Sequence, residues 1–253
     1  MRDASGQIKE VESIFSQVVP VYDFVNRLLS FREDVRWRRF VGRCLRLKPG
    51  DKVLDVATGT GDLALEIAAL PERPKVVGLD LVPAMLEPAR KKVAKKGTSV
   101  NLINGDATSL PFSDDTFQAV TIAFGIRNIP YRVLAMQEMH RVLKPGGRLY
   151  VLEFATPQNS FIQTVYKKYL VSLLPKVAGL ISKNPEGYQY LAETILEFPL
   201  PAAFRKEMAR AGFVGGRSHV LTHGITWLHI AEKRVDDETI VFGHSRRLGA
   251  SGA

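Results

Sequence analysis

A single cysteine, Cys44, stands in 253 residues. No disulfide can therefore form within the chain, and a thiolate metal cluster has no second ligand. No apolar run approaches the roughly 18 residues that a membrane-spanning helix requires. The first ten residues, Met1 to Glu10, are polar and lack the apolar centre of a signal peptide. The expected location is the cytoplasm, with peripheral attachment at the inner membrane surface as a refinement. No internal repeat is visible. The interleaving of aromatic and basic residues that stacking RNA modules use is also missing, so no nucleic-acid partner is expected. Acidic residues are the minority, 26 against 35 basic, which gives a net charge of +9 and a pI near 9.7. The runs Arg36–Arg46 and Arg90–Lys96 supply a candidate surface for anionic lipid, against the plainer reading of solvated charge.

What is present is ordinary in amount: 45% hydrophobic and 24% charged residues, enough for one α/β domain with a full core. That domain is expected over residues 8–233. Within it, 8–47 reads as a helical lid, 48–156 as a nucleotide-binding core, 157–199 as a helical insertion, and 200–233 as a helix and hairpin. Residues 234–253, rich in Gly, Ser and Ala, read as a mobile tail. Val11, Phe15, Val18, Tyr22, Val25 and Leu29 recur at helical spacing, with Pro20 placed to split the helix. In the core, Val53–Val56, Val76–Leu79, Leu102–Ile103, Ala119–Ala123 and Leu149–Phe154 read as strands. Helical stretches fall at Leu63–Leu70, Met85–Lys95 and Leu134–Val142, and Pro88 predicts a late start or a bend in the second. A helix at Phe204–Ala211 and strands Ser218–Leu221 and Thr226–Ala231 follow, joined by a His223-Gly224 turn. Alternating strands and helices predict a parallel sheet covered on both faces, and the terminal hairpin makes it a mixed sheet of seven strands.

Between the first strand and helix lies Asp55-Val56-Ala57-Thr58-Gly59-Thr60-Gly61-Asp62, with Ala64 completing G-x-G-x-x-A. Gly59 and Gly61 allow a tight turn and close approach of a ligand to the backbone. Asp80 ends the next strand, where a carboxylate can accept from ribose hydroxyls. A dinucleotide would fit that much nearly as well. Asp55, however, precedes the glycines and would repel a pyrophosphate, while Asp106 after the third strand can accept from an adenine amino group. Three carboxylates favour a sulfonium-bearing nucleoside, S-adenosylmethionine, over NAD. The competing account is that Asp55 and Asp106 only cap turns.

Other segments are more particular. Tyr22-Asp23-Phe24-Val25-Asn26-Arg27-Leu28-Leu29-Ser30 with Trp37, Phe124-Gly125-Ile126-Arg127-Asn128, Arg141–Gly147, Leu152-Glu153-Phe154 and Tyr188–Ile195 resemble the ubiquinone/menaquinone biosynthesis C-methyltransferases over about residues 11–233. The resemblance implies a class I S-adenosylmethionine-dependent, Rossmann-like fold. It also implies methyl transfer to a ring carbon of a prenylated quinol, with cofactor contacts at Thr60, Asp80, Asp106 and Ala107. Ala123 stands where the family usually has a cofactor-contacting serine, Asp34 where it has histidine, and Ala155 where serine is common.

A ring carbon becomes nucleophilic when a neighbouring hydroxyl ionises, so the site must favour a phenolate or supply a base. Arg127, with Asn128 beside it, is the expected catalytic pair, stabilising phenolate charge at the carboxyl edge of the fourth strand. The rival role for Arg127 is a salt bridge to Glu153. His223, His229, Asp23, Tyr188 and a relayed water are the candidates for a base. Tyr22 and Asn26 share a helical face and, with Tyr188 and Tyr190, are expected to form a lid or line the acceptor site. Tyr166, Tyr169, Leu170, Leu173, Leu174, Val177, Leu180 and Ile181 are candidates for lining a prenyl channel. A homodimer or a quinone-synthesis complex is a further expected partner. Methylation of another acceptor (a sterol, another small phenol, RNA), or a non-catalytic subunit role, are the rival functions.

Overall fold

The computed structural model describes Gly6, residues 12–17, Val19, and residues 22–173 and 185–235. Val11, Val18, Pro20, Leu174, Val177, Leu180, Ile181 and the tail from 236 onward lie outside the described residues, as do the side chains of Val25, Leu29, Leu173 and Tyr188. Helical residues 12–17 (α1) and helix α2 (Tyr22–Leu29) are separate pieces, with the expected proline between them in sequence. Phe15 and Tyr22 still meet edge to face, 6.1 Å between ring centres. Helix α3 (Glu33–Cys44) follows a turn in which Phe31 and Arg32 both take left-handed backbone angles.

The core alternates β1 (Lys52–Val56), α4 (Asp62–Ala68), β2 (Lys75–Asp80), α5 (Pro83–Lys96), β3 (Val100–Asn104), β4 (Phe117–Ala123), α6 (Arg132–Val142) and β5 (Leu143–Phe154). Then come α7 (Ser160–Lys168), a π-helical turn at Tyr169–Leu173, α8 (Pro185–Glu197), α9 (Pro201–Arg210), β6 (Val214–Leu221) and β7 (Thr226–Glu232). The seven strands lie in the order β3-β2-β1-β4-β5-β7-β6; β7 alone runs against its neighbours β5 and β6.

The strands are short runs of buried apolar residues, and successive side chains feed opposite faces. Val53 packs in a core with Trp37 and Val41 of α3 and Leu63, Ala64 and Ile67 of α4. Leu54 and Val56 pack in the other core, with Met136 and Met139 of α6 and Phe204 and Met208 of α9. One expectation needs correcting. Helix α5 starts early, not late: Pro83 occupies its first turn, where no intrahelical N–H partner is needed, and the helix runs on through Pro88. The one carbonyl deprived by Pro88 belongs to Ala84, which is exposed and open to water.

Candidate active site

Chain direction from β1 leads outward to β2 and β3, while β4 leads to β5 on the other side, so the sheet reverses its winding between β1 and β4. Ligands in open α/β sheets bind at such a switch point, outside the carboxyl ends of the strands. Both strand ends here are strained. Ala57 after β1 and Phe124 after β4 hold φ values of 49° and 58° without being glycine. Such residues cost about 1–3 kcal/mol each and persist only where surrounding structure enforces them. The loops also touch: a Cβ on Gly125 would lie 2.6 Å from that of Ala57.

Two cavities open at this point and share Phe15, Tyr22 and Phe124 as a common wall. The smaller, about 100 Å³, is lined by Gly59, Asp80, Asp106, Ala107, Ala123 and Asn128, with Leu79, Val82, Met85 and Ile129 supplying apolar surface. Gly59 and Gly61 take positive φ angles, and beside Gly59 there is open space where a Cβ would sit. Asp80 accepts from the amides of Gly59 (2.7 Å) and Val82 (2.9 Å); burial nevertheless raises its pKa above the ordinary value. Asp106 accepts from the Thr108 amide with one oxygen. The Oδ1 of Asn128 is buried and has no hydrogen-bond partner. No lysine or arginine is among the described residues of this wall. It offers acceptors and apolar surface, which suits a cationic ligand rich in donors and disfavours a pyrophosphate.

The structure does not bring every expected cofactor residue to that wall. Asp55 lies beneath the loop, where its oxygens accept from the hydroxyls of Thr58 (2.6 Å) and Thr121 (2.7 Å), and it lines neither cavity. Of the three carboxylates expected to meet one ligand, Asp80 and Asp106 line the cavity and Asp55 does not. Thr60 and Gly61 are likewise absent from the wall. The Thr60 hydroxyl donates to Asp23 of α2 at 2.6 Å and accepts from Lys92 of α5.

The larger cavity, about 380 Å³, is walled by α1, α2, α3, the turn after β4, α7, the π-helical turn and α8. Tyr22, Asn26 and Tyr190 line it, as do Tyr166, Tyr169 and Leu170 from the expected prenyl-channel set. Tyr22 and Asn26 line it together, as their shared helical face predicts. Arg127 lines this cavity and also makes the salt bridge that was its rival role: Nη1 donates to Glu153 (2.8 Å) and to the Phe124 carbonyl. Glu153 is fully buried, and desolvation raises its pKa despite the adjacent guanidinium. The Nε of Arg127 is buried without a partner.

The proposed bases fare differently. His229 is buried in the sheet core, bonded through Nδ1 to Ser218, and burial lowers its pKa to about 4; it touches neither cavity. His223 is exposed in a 3₁₀ turn, and Asp23 is held by Thr60 and Lys92. Much of the expected lipid-facing charge is matched internally, since Arg36 pairs with Glu33, and Arg90 and Lys91 both with Glu87. Sequence reasoning missed Phe154, Thr222 and Arg38 as cavity walls. For Arg38 the signal was available: Asp34 precedes it by four residues, the spacing of a helical ion pair.

The family model described as "ubiE/COQ5 methyltransferase family" matches residues 2–233. A ubiquinone/menaquinone biosynthesis C-methyltransferase UbiE from Geotalea daltonii is 42% identical over 228 residues, 89% of this chain and 97% of that protein. A demethylmenaquinone methyltransferase from Thermus thermophilus is 45% identical over 220 residues, 87% of this chain and all of its own. Among solved structures, a Thermotoga maritima S-adenosylmethionine-dependent methyltransferase, described as a possible histamine N-methyltransferase, superposes with a TM-score of 0.62 at 21% identity, covering 88% of this chain and 99% of its own. At that identity the likeness is one of fold.

Proposed function

This chain belongs to the ubiE/COQ5 methyltransferase family, and from that premise we propose that it moves a methyl group from S-adenosylmethionine to a ring carbon of a prenylated demethylquinol. The observation that carries this reading is the pair of abutting cavities. Consecutive residues of one turn face them separately: Asn128 the smaller, Arg127 the larger, each with an unpartnered buried polar atom.

The smaller cavity fits S-adenosylmethionine. Asp80 and Asp106 accept from its hydroxyl and amino donors, and Gly59, Ala107 and Ala123 leave room for it. Thr60 acts indirectly, by tying α2 to the glycine loop. When bound, the cofactor supplies a methyl group already activated by the sulfonium charge. The chain's part is alignment of donor and acceptor and exclusion of water.

The acceptor's ring occupies the larger cavity, with Tyr22 and Phe124 at the boundary. Phenols ionise near a pKa of about 10, as tyrosine does, so the wall must favour the anion. Arg127, held in place by Glu153, offers its guanidinium charge to the developing phenolate, whose charge moves onto the adjacent carbon. No histidine among the described residues lines either cavity, and water carries the hydroxyl proton away in this reading. Tyr166, Tyr169, Leu170 and Leu191 then accommodate the prenyl tail.

The mouth of this cavity supports peripheral attachment to an anionic bilayer. Phe31 and Val165 line it and are exposed, as is Phe161 on α7, and exposed Arg32, Lys167 and Lys168 stand close by in sequence. Incubation with labelled S-adenosylmethionine and two reduced demethyl acceptors, one benzoquinol and one naphthoquinol, tests the function. We expect a product heavier by one ring methyl from at least one of them. Methylation of neither overturns the reading.

A further inference from the structure

The larger cavity carries a second guanidinium, for which the reaction above has no use. Arg38 of α3 lines it, and Asp34, at the position where this chain departs from the family signature, pairs with Nη1. Both partners are largely buried, Asp34 to 4% exposure. The arrangement mirrors Arg127 with Glu153: each arginine is fixed from behind by a buried carboxylate.

Between the two lies a stacked aromatic pair, Phe124 and Phe154, with ring centres 4.5 Å apart. Arg38 sits over Phe124 at 5.6 Å and Arg127 over Phe154 at 5.5 Å, so the cations are set apart by the rings. One phenol already feels both charges: Arg127 and Arg38 each act to lower the pKa of the Tyr22 hydroxyl against the effect of its burial. Asp34 occupies one nitrogen of Arg38, and the others have no hydrogen-bond partner among the described residues.

We infer that Arg38 is a specificity-determining residue that binds the second oxygen of the acceptor, so that the cavity selects a ring with two opposed hydroxyls over one with a single hydroxyl. This rests on the quinol reading given above. In a para-dihydroxy ring, only the hydroxyl next to the methylated carbon pushes electron density onto that carbon. The opposite hydroxyl is meta to it and adds nothing to nucleophilicity. A donor placed for that oxygen therefore serves recognition, and its loss falls on KM and spares kcat.

The test compares two acceptors with the same short prenyl tail. One is demethylmenaquinol; the other is the matching naphthol, which keeps the activating hydroxyl and lacks the opposite one. KM is measured for the quinol and the inhibition constant for the naphthol as its competitor, with wild type, Arg38→Gln and Arg38→Lys. Wild type should prefer the quinol roughly tenfold or more, the effect of one charge-assisted hydrogen bond. Arg38→Gln should erase that preference by weakening the quinol alone, with kcat nearly unchanged, and Arg38→Lys should restore part of it. Equal binding of the two acceptors by wild type overturns the inference. So does equal weakening of both by Arg38→Gln, which marks a purely structural residue. If wild type methylates no quinol at all, the proposed function itself fails, and this inference with it.

Discussion

Asp55 carries an ionisable carboxyl into the core beneath the glycine loop, where burial lifts its pKa to about 6 in spite of the hydroxyl donors Thr58 and Thr121. A carboxyl whose folded pKa lies above its unfolded value holds its proton more tightly when folded. Its contribution to stability is thus greatest below the unfolded pKa and falls as pH rises toward 6, at a cost on the order of 3 kcal/mol. His229 works the other way. Its pKa is depressed to about 4, so stability is complete above the ordinary histidine value and is lost as pH falls toward 4. The two groups offset one another in mildly acidic solution. Asp55→Asn should accordingly raise Tm at pH 7.5 by a few degrees, at about 2–4 °C per kcal/mol, and should then lose stability more steeply than the parent between pH 6 and 4. Thermal unfolding across that range decides it; parallel curves for the two proteins would refute the assignment. Arg127 calls for a gentler change, because Arg127→Ala would strand Glu153 as an unpaired buried charge at about 3–5 kcal/mol. Arg127→Lys should lower kcat roughly 10²-fold while calorimetry finds S-adenosylmethionine affinity unchanged. The identities of Asp80, Asp106, Arg127 and Asn128 were legible as site candidates because they follow strands. Which cavity each would face was not, since Arg127 and Asn128 are adjacent in sequence and diverge only through the geometry of a 3₁₀ turn.

At the scale of elements, α2 is fastened over the glycine loop by a small polar clasp. Asp23 accepts from Thr60 and pairs with Lys92 of α5, which also reaches Asp62, and Arg27 lies 3.4 Å from Asp62. These groups are partly exposed, so screening limits what the clasp contributes. Lys92→Met should raise the Kd for S-adenosylmethionine about threefold, a change of under 1 kcal/mol, and should make that Kd less sensitive to salt than in wild type. An unaltered Kd and salt response would show that other contacts seat α2. The strands could be read directly because Val53, Leu54, Val76, Val77, Val120 and Ile122 form short apolar runs set off by turns. Their ends were short by a few residues wherever a polar residue continues the ladder, as Asn101 and Asn104 do in β3. Helix α5 was misjudged because Pro88 looks like a breaker, and nothing local in the sequence says that the freed carbonyl will face water. The walls of the larger cavity were hidden for a different reason: Trp37, Phe124 and Phe154 are apolar residues that pack in the core and wall the cavity at once.

For the whole molecule, the +9 charge is a poor guide to where a bilayer would sit, because a net excess carries no position on the surface. The apolar rim is a better one. Phe31 is 82% exposed and Phe161 76%, at the α2–α3 turn and on α7. Replacing both with serine should reduce co-sedimentation with vesicles containing phosphatidylglycerol roughly tenfold per residue, the effect of about 1.4 kcal/mol of lost apolar burial each. The single change Phe161→Ser, which lies outside the cavity wall, should leave turnover of a quinol dissolved in detergent unchanged. Equal loss with vesicles and with detergent would place these residues in the fold and not at a lipid surface.

The two cavities differ in what builds them. Strand ends and their loops form most of the smaller one, whereas helices outside the sheet form nearly all of the larger one. Exchange of acceptor can therefore proceed by re-cutting α3, α7 and α8 while the donor machinery is inherited largely intact. The exceptions are Phe15 and Tyr22 of α1 and α2, which wall both cavities, and the five-residue stretch Phe124–Asn128, which also faces both sides and presses Gly125 against Ala57. A chimaera given new helices for a different aromatic acceptor would have to carry those parts over unchanged, since between them they wall both the donor and the acceptor cavity.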